Sequence, residues 1–68
     1  MKTLDARGIS CPEPLIMLKN SLKTEKEVLL YLDSKNALSN CESYAKKQGF
    51  TVSTTTGSGI YKVYITMA

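Results

Sequence analysis

The chain has 68 residues, 43% hydrophobic and 22% charged, with a net charge of +3, which predicts one small domain over residues 1–68. No apolar run approaches the ~18 residues of a membrane span, and the start lacks the apolar stretch of a secretory signal. We therefore expect a cytoplasmic protein. Two cysteines and no histidine exclude a Ser-His-Asp triad, a Cys-His pair and a four-ligand zinc site within one chain. We expect neither a bound metal nor a cofactor.

The first half of the chain alternates between predicted strands and one predicted helix. Residues 4–6 predict a short strand, and residues 7–10 predict a turn. From residue 12 to about residue 23, leucines recur at the spacing of an amphipathic helix. These leucines are Leu15, Leu18 and Leu22. Residues 28–32 form a short apolar run, which predicts a central strand.

The second half of the chain predicts a helix followed by a β-hairpin. Ser34 or Asn36 can cap the helix, and Gly49 is placed to end it. Residues 50–56 are rich in β-branched side chains and predict a strand. A Gly-Ser-Gly turn then leads to a last strand over residues 60–67, which pairs with the preceding one.

The predicted order is β-α-β-α-β-β, which indicates an α+β fold, a two-layer sandwich with a four-stranded mixed sheet. Right-handed crossovers would put both helices on one face of the sheet and leave the other face open. In the last strand, the more apolar of the two alternating sets is Tyr61, Val63, Ile65 and Met67. Apolar groups on the open face would mark a partner surface, or would be tolerated surface residues.

Cys11 stands directly before a proline, with a second proline two residues further on. Pro12 fits the first position of a helix because its φ is preset and its missing N–H would be unpaired there anyway. Cys11 is therefore predicted to be the N-cap, where the helix dipole can lower the thiol pKa to roughly 7 or below. Pro14 also lacks an N–H, so Glu13 supplies the main donor, although its carboxylate opposes thiolate formation if it lies close. The alternative is a buried, inert thiol.

The turn before Cys11 contains Arg7 and Gly8. Arg7 lies four residues before the thiol and could stabilise an anionic sulfur or contact a partner. The alternative is an exposed arginine with no task. Cys41 falls on the apolar spacing of the second helix and is predicted to be a core residue, with a resolving thiol for Cys11 as the alternative.

Three lysines recur at helical spacing after the motif. Lys19, Lys23 and Lys26 would share one helix face if the first helix reaches that far. They form a solvated face or, alternatively, a docking surface for an acidic partner or an RNA backbone, with Lys19 and Lys23 as the candidate contacts. No aromatic or arginine pattern for reading bases accompanies them, so we expect no direct nucleic-acid binding.

The stretch Leu-Asp-Ala-Arg-Gly at residues 4–8, the Cys-Pro-Glu-Pro at residues 11–14 and the Leu/Met/Lys-rich helix after them resemble the TusA/SirA family of small sulfur carrier proteins. The resemblance covers essentially the whole chain and implies the same two-layer fold. It implies that Cys11 accepts a sulfane sulfur as a persulfide. The residues predicted to support it are Pro12, Glu13, Pro14, Arg7 and Gly8. Residues 33–50 resemble the YedF-like relatives linked with selenium metabolism.

The resemblance also implies two kinds of protein partner. One is a sulfur donor, a cysteine desulfurase or a rhodanese-like protein, and the other is an acceptor in tRNA thiolation, sulfur or selenium metabolism. The chain would then be a monomeric carrier rather than a stand-alone enzyme. The alternative function is a regulatory or scaffolding domain without persulfide chemistry. A thiol oxidoreductase is disfavoured because no second cysteine lies within a few residues of Cys11.

Overall fold

A computed structural model of the chain describes residues 2–9 and 13–67, and these residues form four strands and two helices. The elements are β1 Lys2–Asp5, α1 Glu13–Leu22, β2 Glu27–Leu32, α2 Lys35–Lys47, β3 Phe50–Gly57 and β4 Ile60–Met67. The predicted element order is confirmed. None of the helices in the described ranges is both long enough and apolar enough to span a membrane.

The four strands form one mixed sheet in the order β1-β2-β4-β3. β1 and β2 are parallel because α1 crosses over between them, and β4 is antiparallel to both β2 and β3. β2 and β4 are therefore the central strands, as predicted for β2, and β1 and β3 are the edges.

The core lies on one face of the sheet and receives side chains from both helices, which confirms the predicted two-layer arrangement. Val63 and Ile65 of β4 are fully buried and Tyr61 packs against the core, so the more apolar set does point inward. Met67, at the strand end, is 55% exposed and does not follow this set. Cys41 is a buried core residue, as predicted. The other buried core residues of the central strand and the helices are Val28, Leu30, Leu32, Leu18, Ala37 and Ala45.

The ends of α2 follow the local sequence. Ser34 is the N-cap: its side-chain oxygen accepts the N–H of Ala37 at 3.5 Å, and its carbonyl accepts the N–H of Leu38. Gly49 adopts φ +88 just after the helix, the left-handed conformation that commonly ends helices. Both helix limits were therefore available from residue type alone.

Two predicted boundaries shift in the structure. β1 covers Lys2–Asp5 rather than residues 4–6, because its parallel pairing with β2 extends from Lys2 to Asp5. α1 ends at Leu22, where the N–H groups of Thr24 and Glu25 turn back onto the carbonyl of Ser21. The lysine stripe predicted for one helix face is therefore interrupted, since Lys23 and Lys26 lie beyond the helix.

The turn between β3 and β4 has two residues rather than the three predicted, because Gly57 belongs to the strand and pairs with Ile60. Ser58 and Gly59 both have positive φ, at 52 and 75. Two consecutive positive values define a type I′ turn, which matches the twist of the paired strands.

Candidate functional site

The carboxyl ends of the parallel strands β1 and β2 lie at the same edge of the sheet. β1 leads into the turn at residues 6–9, and β2 leads into Asp33 and the N-cap of α2. Cys11 and Pro12 lie outside the described residues, together with Ser10, and the N-cap position of Cys11 stays a prediction. The described residues on either side of this segment nevertheless define where it starts and ends.

The turn after β1 is tied to the end of β2 by a hydrogen bond. The backbone N–H of Gly8 donates to Oδ2 of Asp33 at 2.8 Å, and the N–H of Ala6 donates to the carbonyl of Tyr31 at 2.9 Å. Gly8 has φ +75, and an added Cβ would meet no atom within 4 Å, so glycine is needed here for its backbone conformation rather than for space. The turn therefore has a fixed position relative to the sheet.

Asp33 is the residue that the sequence analysis missed. It lies 25 positions from Gly8, and the sequence alone suggested only that it ended a strand. The usable signal was topological: adjacent parallel strands bring their following loops together, so a carboxylate after β2 can reach the turn after β1.

Arg7 forms a two-point ion pair with Asp5 inside the same turn. Its Nε donates to Oδ1 and its Nη2 to Oδ2, both at 2.8 Å, and its backbone N–H also donates to Oδ1 at 3.2 Å. The side-chain hydrogen bonds from Arg7, and then its backbone N–H, lower the pKa of Asp5 to about 2. The carboxylate in turn raises the pKa of Arg7. Arg7 is thus exposed and paired with Asp5, and its role beside the sulfur or a partner stays a prediction.

The first described turn of α1 has one buried and one exposed residue. Pro14 is fully buried and packs the start of the helix into the core, while Glu13 is exposed. Proline is well tolerated in a first helical turn, where backbone N–H groups have no helical partner. The buried Pro14 therefore holds the start of α1 against the protein interior, and Glu13 is exposed to solvent.

The structure does not gather the candidate lysines around the start of α1. Lys19 lies in the last turn of the helix, with Nζ 5.2 Å from the centre of the Tyr44 ring. Lys23 is exposed in the turn that follows, roughly 15 Å along the axis from Glu13, given ~1.5 Å per residue. These two lysines belong to a surface separate from the turn at residues 6–9.

No cluster of three or more histidine, cysteine, aspartate or glutamate residues that could hold a metal ion occurs in residues 2–9 and 13–67. The chemistry available around the turn at residues 6–9 is therefore that of backbone donors, one ion pair and the thiol carried by the adjoining segment.

Comparison with known proteins gives a family and a structural neighbour. The family described as sulfurtransferase TusA matches residues 2–67. The crystal structure of a SirA-like protein from Desulfitobacterium hafniense superimposes with a TM-score of 0.87 and 28% sequence identity. The match covers 97% of this chain and 96% of that one. No curated protein gives a significant match to the chain.

Proposed function

Because the chain belongs to the TusA sulfurtransferase family, we propose that it carries a sulfane sulfur as a persulfide on Cys11 and passes it to an acceptor protein. The observation that carries this proposal is the extent of the family match. It runs from residue 2 to residue 67 and so includes the Cys-Pro-Glu-Pro segment between β1 and α1.

The proposed transfer exchanges one sulfur–sulfur bond for another. The Cys11 thiolate attacks the outer sulfur of a donor persulfide, R–S–SH, and forms a new bond to it. The bond within the donor breaks, and the donor leaves as the thiolate R–S⁻. The proton stays on the transferred sulfur, which gives Cys11–S–SH, and no external oxidant or reductant is needed. Attack by an acceptor thiolate on the same outer sulfur then regenerates the Cys11 thiolate.

The described residues support this role by fixing both ends of the segment that holds Cys11. On one side, Asp33 anchors Gly8, and on the other, Pro14 anchors the first turn of α1 in the core. A segment held at both ends has less conformational entropy to lose when a partner docks. We infer that these anchors restrict the movement of the two ends of the segment that carries Cys11.

The proposed donor is a protein persulfide, on a cysteine desulfurase or a rhodanese-like protein. The proposed acceptor belongs to tRNA thiolation, sulfur or selenium metabolism in the cytoplasm. The carrier acts as a monomer and docks weakly, since it must leave each partner in turn.

The test is intact-mass analysis after incubation with a cysteine desulfurase and cysteine, without reductant. We expect the wild-type protein to gain the mass of one sulfur atom and a reductant to remove it. Cys11→Ser should gain nothing. Cys41→Ala is the matched control, because Cys41 is buried and should leave the gain unchanged.

A wild-type protein that never gains sulfur from either class of donor would overturn the carrier function and leave the scaffolding alternative. If the gain in mass survives in Cys11→Ser and disappears in Cys41→Ala, the sulfur is carried by Cys41, and the proposed role of Cys11 is overturned. Acceptor specificity is then read by adding candidate acceptor proteins to the loaded carrier and following the loss of the extra mass.

A further inference from the structure

A groove of about 580 Å³ lies on the sheet face opposite the helices. Its floor is a row of register neighbours, one from each strand: Asp5, Tyr31, Lys62 and Thr55. We refer to these four residues as the Lys62 row. The hairpin after β3 forms one rim, beginning at Gly57. The volume falls within the range of roughly 300–1,000 Å³ typical of ligand pockets.

The charges in this groove do not balance. Both carboxylate oxygens of Asp5 are engaged by Arg7. The ammonium of Lys62 lies 5.8 Å from the centre of the Tyr31 ring, and no acidic side chain pairs with it among residues 2–9 and 13–67. An aromatic face attracts the cation but leaves its three N–H donors available. The groove therefore presents one positive charge with unused hydrogen-bonding capacity.

Apolar surface lies directly beside that charge. Tyr31 and Ile60 are half-buried and line the groove, and threonine hydroxyls lie around them. A ligand that places a carboxylate on Lys62 can therefore place an apolar group against the tyrosine ring and Ile60. This pattern suits a peptide in which an acidic side chain and an apolar one lie two residues apart, on the same side of an extended backbone.

The groove also lies close to the thiol along the chain. Arg7 lines it, and Cys11 follows four residues later. Four residues span at most roughly 14 Å even when fully extended. A partner protein that reaches Cys11 is therefore also within reach of the groove.

We propose that this groove binds an extended acidic segment of the protein that donates or receives sulfur, with a carboxylate on Lys62 and an apolar side chain against Tyr31 and Ile60. The proposal rests on the sulfur-carrier function, which supplies the reason for docking beside Cys11. An RNA backbone is a poorer fit, because phosphate binding draws on several cations and the groove offers one unpaired ammonium.

The experiment is a titration of isotope-labelled protein with a blocked peptide, acetyl-Asp-Ser-Val-Ser-Asp-amide, in which both aspartates and the valine lie on one side of an extended backbone. Binding is followed by two-dimensional NMR of the backbone amides. We expect saturable shifts at Thr55, Gly57 and Lys62, with a dissociation constant on the order of 1 mM. The same peptide with asparagine in place of aspartate should bind several-fold more weakly. Added salt should weaken the binding of the aspartate peptide, since the charge pair is exposed to solvent.

Matched variants locate the contact. Lys62→Gln should weaken binding about 1.5- to fivefold, the range for one exposed charge pair. Lys47→Gln removes the same charge from an exposed position on α2 and should leave binding unchanged. Both variants should keep the dispersed amide spectrum of the folded protein, so a loss of binding is not a loss of fold.

The groove proposal is overturned if the asparagine peptide binds as well as the aspartate peptide, if Lys62→Gln has no effect, or if the shifts map to α1 and α2. It is also overturned if a short oligouridylate shifts the Lys62 row and the peptide does not. Peptide binding requires no sulfur chemistry, so Cys11→Ser should bind like wild type. If sulfur loading fails and peptide binding is intact, the result counts against the carrier function alone. If loading succeeds and peptide binding fails, the result counts against the groove alone.

Discussion

Asp5 shows how a single side chain can order a turn without being buried. It is exposed, yet it accepts three hydrogen bonds from Arg7, two from the guanidinium and one from the backbone. These bonds require the ionised carboxylate, because only that form accepts at both oxygens. The pKa of Asp5 is accordingly lowered from its usual 3.8 to about 2.

The lowered pKa of Asp5 gives a signed prediction for pH. A carboxyl whose pKa falls on folding contributes its stabilisation above pH 3.8, and that contribution is lost as the pH falls towards 2. We expect the Asp5 carboxyl carbon to titrate with a midpoint near 2 in NMR spectra. In Arg7→Gln, which removes the guanidinium but keeps the backbone N–H, the midpoint should rise towards 3.8.

Lys62→Gln provides the control for this titration. Lys62 lies in the same row of the sheet but forms no hydrogen bond or ion pair with Asp5, so its replacement should leave the Asp5 midpoint near 2. A wild-type midpoint close to 3.8 would show that Arg7 and Asp5 are not paired in solution.

The connections that follow β1 and β2 act as one unit because Asp33 joins them. Asp33 belongs to the β2–α2 connection, whereas the Gly8 N–H that it accepts belongs to the turn before α1. We expect Asp33→Ala to accelerate hydrogen exchange of the Gly8 amide and to lower the free energy of unfolding by about 1 kcal/mol. The rate of sulfur loading should fall, since the segment holding Cys11 then has one anchor fewer.

Two variants separate this role from a general loss of an exposed carboxylate. Asp33→Asn keeps an acceptor oxygen and should restore part of the Gly8 protection. Glu42→Ala removes a carboxylate that accepts the hydroxyl of Thr54 on β3, and should leave both the Gly8 exchange and the loading rate unchanged. Unaltered Gly8 exchange in Asp33→Ala would contradict the anchor.

The same elements show what the sequence could and could not predict. Ser34 and Gly49 limit α2 through their own backbone and side-chain preferences, so residue type was sufficient for both. The Asp33–Gly8 bond depends on two strands lying side by side, which no local pattern encodes. The lysine face depended on the first helix reaching Lys26, and α1 ends at Leu22, where the N–H groups of Thr24 and Glu25 bond back to Ser21. The role of Cys11 rests on its motif and family, and stays a prediction.

At the scale of the whole molecule, the sheet has one face covered by the helices and one open face. The face on which a residue lies decides how much stability its substitution costs. β2 illustrates it with two adjacent leucines. Leu30 points into the core and is fully buried, whereas Leu29 points to the open face, where it pairs with the half-exposed Tyr64. Stability should therefore depend more on the covered face than on the open one.

These two leucines provide a matched test, since the same substitution is made one residue apart in one strand. Leu30→Ala should cost about 2–5 kcal/mol, from lost burial and the cavity left behind. A domain of 68 residues has a total stability of roughly 3–10 kcal/mol, so this variant should lose a large part of its free energy of unfolding. Leu29→Ala should cost about 1 kcal/mol or less. Urea unfolding followed by circular dichroism measures both, and equal losses would mean that the open face is covered in solution, which would also close the groove over Lys62.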